Sequence, residues 1–92
     1  MTDEIAPRQS LIEFPSDFPI KIMGHNTEEI TEAIVAVVLV HAPDFDRTTL
    51  EIRPSSKGTY VGITATVRAT SQAQLDDLYR ALTSHPLVKV VL

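Results

Sequence analysis

The residues of this chain best suited to chemistry fall in one short run, Pro54-Ser55-Ser56-Lys57-Gly58. Two hydroxyls, an ammonium and the amides around a permissive glycine can wrap an anion, and a serine beside a lysine can in principle serve as nucleophile and base. The spacing is not the Ser-x-x-Lys of a helix start, and proline, serine and glycine are also what a hairpin connection needs. The run is therefore read first as a turn, then as a binding site formed by Ser55, Ser56 and Lys57, and not as a catalytic centre. His25, His41 and His85 have no short metal-ligand spacing and share no helix face with an acidic third ligand. Gly24, Gly58 and Gly62 form neither a Gly-x-Gly-x-x-Gly nor a Walker pattern. Glu28-Glu29 and Asp76-Asp77 are adjacent pairs, and neighbours on a helix diverge by about 100°, so neither pair converges on one substrate atom. No cysteine is present, which removes thiol nucleophiles, disulfides and thiolate metal sites. No nucleophile, base and oxyanion donor can be assembled from these residues, so the expectation is a non-enzymatic protein without metal or cofactor.

The elements that position these residues belong to one domain, because 92 residues cannot fill two cores. Apolar residues make up 43% and charged residues 22%, a globular balance. Eight Lys and Arg against twelve Asp and Glu give a net charge of −4, which disfavours general binding to phosphate backbones. The longest unbroken apolar run, Ala33 to Val40, is far short of the ~20 residues of a membrane span, and Met1-Thr2-Asp3-Glu4 lacks a basic signal-peptide head. A soluble, cytoplasmic protein is expected.

Residues 1–11 are polar and aperiodic, which predicts a flexible tail before a single domain over 12–92. Ile12 to Pro19, with two prolines and two phenylalanines, reads as an extended segment along the domain edge. Period-two alternation predicts a strand over Phe18–Met23, broken by Gly24. Asn26 or Thr27 then caps a helix to about His41 or Ala42, with Glu29 completing a capping box and Pro43 stopping it. Thr48–Arg53 reads as a second strand. The Pro54–Gly58 turn, with Gly58 able to take positive φ, leads into a third strand from Thr59 to about Thr70. In that strand Val61, Ile63, Ala65, Val67 and Ala69 share the core face. Ser71 with Gln74 predicts the cap of a second helix, whose stripe is Leu75, Leu78, Tyr79 and Leu82, ending by Ser84. Leu87–Leu92 reads as the last strand.

The order βαββαβ with right-handed crossovers predicts an α+β, ferredoxin-like split βαβ sandwich: an antiparallel sheet in the order 4-1-3-2 with both helices on one face. The other face is left uncovered. Alternation assigns to it Lys21, Met23, Glu51, Arg53, Tyr60, Thr64, Thr66, Arg68, Lys89 and Val91. Lys21, Arg53, Arg68 and Lys89 against Glu51 make this face about +3 by count and the rest of the chain about −7. The outer helix surfaces are acidic through Glu28, Glu29, Glu32, Asp76 and Asp77. The cationic face is the expected docking plane for an anionic ligand or an acidic partner surface. RNA-recognition modules share this strand order but stack bases on central-strand aromatics, and here only Tyr60 is available, so no nucleic-acid partner is expected.

Beyond pattern, Ile12-Glu13-Phe14-Pro15, Lys21-Ile22-Met23-Gly24, His41-Ala42-Pro43, Pro54-Ser55-Ser56-Lys57-Gly58-Thr59-Tyr60 and Val88-Lys89-Val90-Val91-Leu92 together resemble the YbeD-like family of small bacterial proteins. The likeness covers residues 12 to 92. It implies a ferredoxin-like fold similar to the ACT regulatory domains attached to amino-acid biosynthetic enzymes, and a setting near lipoate metabolism, but it carries over no activity. The longer acidic N-terminus and the Thr83-Ser84-His85-Pro86 run before the last strand depart from the family pattern.

Two functions of different class follow as expectations. The first is a regulatory or adaptor module that engages another protein, or itself as a homodimer, through the open face or an edge strand. The second is an ACT-like sensor of a small anionic metabolite.

Overall fold

The computed structural model describes residues 13–92, so the tail expected over 1–11, and Ile12, lie outside the described residues. The elements are β1 (Ser16–His25), α1 (Ile30–His41), a single 3-10 turn (Arg47–Thr49), β2 (Glu51–Pro54), β3 (Tyr60–Ala69), α2 (Gln72–Thr83) and β4 (Val88–Val91). The four strands form one antiparallel sheet in the order β2-β3-β1-β4, the order 4-1-3-2 read from the other edge. The chain therefore has the ferredoxin-like arrangement, with β1 and β3 central.

One core lies between the sheet and the two helices. From β1 it takes Ile20 and Ile22, and from β3 Val61, Ile63, Ala65, Val67 and Ala69; α1 contributes Ile30, Ile34, Val35 and Val38, and α2 contributes Leu75, Leu78 and Leu82. Each fully buried Leu or Ile contributes about 1.5–3 kcal/mol, which is what a chain without disulfides must rely on. Gly24 is essential to this packing. A Cβ there would stand 2.3 Å from the Leu87 carbonyl oxygen and 2.5 Å from Ile30 Cδ1, so β4 and the start of α1 approach only because no side chain intervenes.

Several boundaries differ from the sequence reading, each for a tertiary reason. β1 begins at Ser16, so the Phe-Pro segment enters a central strand instead of lying along an edge. Pro19 fits because odd-numbered β1 residues turn their N–H toward β4, whose pairing reaches only to Lys21. The capping box at Asn26 and Glu29 does not form. Asn26 continues the β1–β3 ladder by donating its N–H to the Thr59 carbonyl (3.0 Å), while its side-chain amide donates to the Gly58 carbonyl (3.0 Å). α1 accordingly starts at Ile30, and Glu29 at its N-cap makes no side-chain cap bond. Residues Arg47–Thr49 are a 3-10 turn, not strand, because the Asp46 carboxylate accepts the Thr48 N–H (2.9 Å) and caps that turn. α2 does begin as expected, with the Ser71 hydroxyl accepting the Gln74 N–H (3.1 Å).

Candidate functional site

Lys21, Arg53 and Arg68 come together on the face of the sheet opposite the helices. Register places their rows. Arg53 stands beside Gly62, Gly62 beside Met23, and Met23 beside Val90. One row along, Glu51, Thr64 and Lys21 stand abreast, and Lys21 exchanges backbone hydrogen bonds with Leu92 (3.3 and 2.8 Å). Because Gly62 has no side chain, the face dips between Arg53 and Met23 into a groove of about 540 Å³. A Cβ built on Gly62 would meet nothing nearer than the Arg53 carbonyl oxygen at 3.7 Å, so the dip is open space. Its floor is apolar: Met23 is 46% exposed, Val90 42% and Leu92 73%. Lys21 and Arg53 rim it, with Glu51 as the one acidic side chain among its lining residues.

Lys89 joins this face by a route that alternation does not contain. Met23 pairs with Val90, but Gly24 pairs with Val88, so Lys89 is the extra residue of a bulge. In unbroken register Lys89 would oppose Gly24 and point toward the helices. The bulge turns it over the open face, where its ammonium lies 5.8 Å from the Tyr60 ring centroid. Val91, expected on this face, opposes the buried Ile22 and packs against the core, and Val90 takes its place.

His25, beyond the strand end expected at Met23, is the last residue of β1 and pairs with Tyr60, their ring centroids 5.5 Å apart. The sheet face thus carries a Tyr60–His25–Lys89 cluster at the end nearest the hairpin turn. Sequence reasoning missed His25 because Gly24 looked like the end of the strand.

Arg68 does not join the cluster. It stands at the far end of β3 opposite Asp17, with Nη1 to Oδ1 at 3.7 Å, and shares a hollow with Asp44, Asp46 and Glu51. Asp17 went unassigned because the strand was started at Phe18. The face therefore carries Lys21, Arg53, Arg68 and Lys89 against Glu51 and Asp17; Lys21 and Arg53 line the groove, and Lys89 lies over Tyr60 at the turn end of the same face.

The hairpin turn serves geometry. Ser55 donates its N–H to the Tyr60 carbonyl (2.8 Å), its own carbonyl accepts the Gly58 N–H (2.9 Å), and its hydroxyl accepts the Tyr60 N–H (3.2 Å). Gly58 takes φ +74°, the positive value the turn requires. Ser56 and Lys57 are exposed in the turn, and neither they nor Ser55 line the groove.

The ionisable groups with displaced equilibria lie away from the groove. The Glu32 carboxyl is held below its ordinary range by its hydrogen-bonded ion pair with Arg47, whose guanidinium is raised in return. Asp46 is lowered by the Thr48 hydroxyl and N–H. Burial raises the Tyr79 phenol. Among the described residues no three His, Cys, Asp or Glu side chains are grouped so that they could hold a metal ion, and no helix is long and apolar enough to cross a membrane. The arrangement can hold an amphiphilic, negatively charged surface.

Comparison with known proteins agrees with this architecture. Residues 9–92 match the family described as "Protein of unknown function (DUF493)". A UPF0250 protein of Janthinobacterium sp. is 57% identical over 89 residues, covering 97% of this chain and 98% of the relative. UPF0250 proteins of Ralstonia nicotianae (57%, covering 99% and 94%) and Bordetella pertussis (56%, covering 96% and 97%) are similar over comparable lengths. Among solved structures, the ACT domain from the GTP pyrophosphokinase of Chlorobium tepidum is similar in fold, with a TM-score of 0.57 and 22% identity over 84% of this chain and 97% of that one. The YbeD-like motifs, the near full-length relatives and the matched span together make this chain a member of the DUF493/UPF0250 family of small bacterial proteins.

Proposed function

We propose that the chain is a non-enzymatic regulatory or adaptor module whose open sheet face docks an acidic, amphipathic segment of a partner protein. The observation that carries this reading is the groove over Gly62, with its apolar floor of Met23, Val90 and Leu92 between Lys21 and Arg53, and with Lys89 over Tyr60 on the same face. Half-exposed apolar side chains surrounded by cations suit a ligand that brings both apolar contact and negative charge: burial supplies affinity, and the charges supply orientation and on-rate. Glycine inside a strand weakens it by roughly 0.5–1 kcal/mol relative to alanine and often marks a place where another molecule approaches the backbone. Glu28 and Glu29, expected on α1, lie in the turn before it; the exposed acids on the helices themselves are Glu32, Asp76 and Asp77, and an acidic helical segment of this kind is what the groove suits. The like-folded ACT domain is part of a GTP pyrophosphokinase, which supports reading this architecture as a module that works beside another protein.

A second reading, an ACT-like sensor of a small anionic metabolite, draws on the groove's size, which falls within the ~300–1,000 Å³ of small-molecule sites. Site-specific photocrosslinking in cells separates the two. A crosslinker at Thr64, on the groove, should capture an acidic segment of a discrete protein, and one at Asp77, on the outer surface of α2, should not. Capture from Asp77 alone would contradict docking through the open face. No protein from either position, together with a raised melting temperature on adding small carboxylates or phosphates, would favour the metabolite reading.

A further inference from the structure

We infer that β2 is a self-pairing edge, joining β2 of a second copy of this chain in antiparallel register about a two-fold axis through Ile52. All four residues of β2 are exposed, and Ile52, which opposes the buried Ile63, is 48% exposed because the helices do not reach over this edge. The Ser55–Tyr60 bond fixes which backbone groups are spent: residues 51, 53 and 55 turn toward β3, so the N–H and C=O of Ile52 point outward. The other outward position is Pro54, which has no N–H.

Charge and proline select one register. Centring the axis on Arg53 sets Arg53 against Arg53 and asks Pro54 for a donor it lacks. Centring it on Glu51 sets Glu51 against Glu51. Only the Ile52-centred register opposes Glu51 to Arg53 twice, on the open face, while Ile52 meets Ile52 on the helix side and the two Ile52 residues exchange both backbone hydrogen bonds. The Glu51–Arg53 pairs would be non-hydrogen-bonded neighbours, the closer of the two antiparallel pair types. Neither residue takes part in an ion pair among the described residues. The opposite edge is less suited, because β4 carries the bulge and Lys89, two features that discourage strand addition. The result is an eight-stranded sheet with both grooves on one side, each lined by the Glu51 and Arg53 that make the pairing.

Sedimentation equilibrium of the full chain from about 10 μM to about 1 mM tests this pairing over the range expected of a short edge contact. The wild type should dimerise reversibly. Glu51→Arg and Arg53→Glu should each weaken the dimer by about tenfold or more, because each sets like charges together at both symmetry-related positions. The double exchange Glu51→Arg/Arg53→Glu should return the dissociation constant to within about threefold of wild type. Amide exchange at Ile52 should slow as concentration rises, and melting curves should show all variants folded. A monomer throughout the range, a dimer indifferent to the single reversals, or a double exchange no stronger than the singles would overturn the inference.

Discussion

The Lys89 ammonium lies 5.8 Å from the centroid of the Tyr60 ring, reaching from the edge strand β4 past His25 of β1 to the central strand β3. The contact exists because one residue too many is threaded between Met23 and Gly24 in the β1–β4 pairing. A single bulge thereby moves a cation from the helix side of the sheet to the open face, over Tyr60 and two residues along β3 from Gly62.

The four cations of the open face should differ in their effect on docking. Lys21→Glu, Arg53→Glu and Lys89→Glu should each weaken binding of an acidic amphipathic peptide by about five- to tenfold, the scale of a lost and reversed surface charge contact. Arg68→Glu, beside Asp17 and remote from the groove, should change it less than twofold by the same reasoning. Isothermal titration calorimetry at low and high salt measures both, and equal effects at all four positions would contradict the grouping.

Two glycines should respond oppositely to alanine. Gly24→Ala places a methyl group against the Leu87 carbonyl and Ile30, and overpacking of this kind costs about 1–3 kcal/mol. Gly62→Ala meets only an ordinary contact with the Arg53 carbonyl, so stability should hold or rise by up to about 1 kcal/mol. Urea denaturation of both variants checks the contrast.

The helix caps can be told apart in the same way. Ser71→Ala removes the acceptor of the Gln74 N–H and should cost about 1 kcal/mol. Asn26→Ala should instead loosen the link between the end of β1 and the hairpin turn, read as faster amide exchange at Gly58 and Tyr60 with the α1 amides unaffected.

Acid should act through Glu32 and Asp46. Both carboxyls titrate below their ordinary values in the folded chain, Glu32 through Arg47 and Asp46 through Thr48. Their contribution to stability is therefore complete above the ordinary carboxylate range and is lost as pH falls through the lower folded values. The melting temperature of the wild type should drop below about pH 4–5. A Glu32→Gln/Asp46→Asn chain should melt lower at neutral pH and show a shallower acid slope. Identical slopes would show that these two groups do not drive the transition.

The sheet and helices were legible where local pattern and tertiary demand agree. β3 alternates cleanly because one side is core and the other solvent, Gly58 takes the positive φ its turn requires, and Ser71 caps α2. The misread positions are those where a distant partner decides. Asn26 looks like a cap but is claimed by Thr59 and Gly58, and Ser16 and Asp17, read as part of an edge segment, extend β1 opposite Ala69 and Arg68. Alternation assigns Lys21, Arg53 and Lys89 to the open face, but Lys89 reaches it through a bulge that alternation does not contain, which is why Val90 and not Val91 accompanies it. His25 and Asp17 fell just outside the boundaries drawn for β1, so the Tyr60–His25 pair and the separate Arg68–Asp17 pair emerge only from the register.

The account stands or falls on occupation of the groove over Gly62. Titration of the isotope-labelled chain with a synthetic peptide carrying an apolar stripe flanked by glutamates, followed by amide chemical shifts, tests it directly. Shifts should concentrate on Lys21, Met23, Arg53, Gly62, Thr64 and Val90 and should vanish in a folded Gly62→Leu variant that fills the groove. Shifts confined to the outer surfaces of α1 and α2, or undiminished in Gly62→Leu, would contradict it.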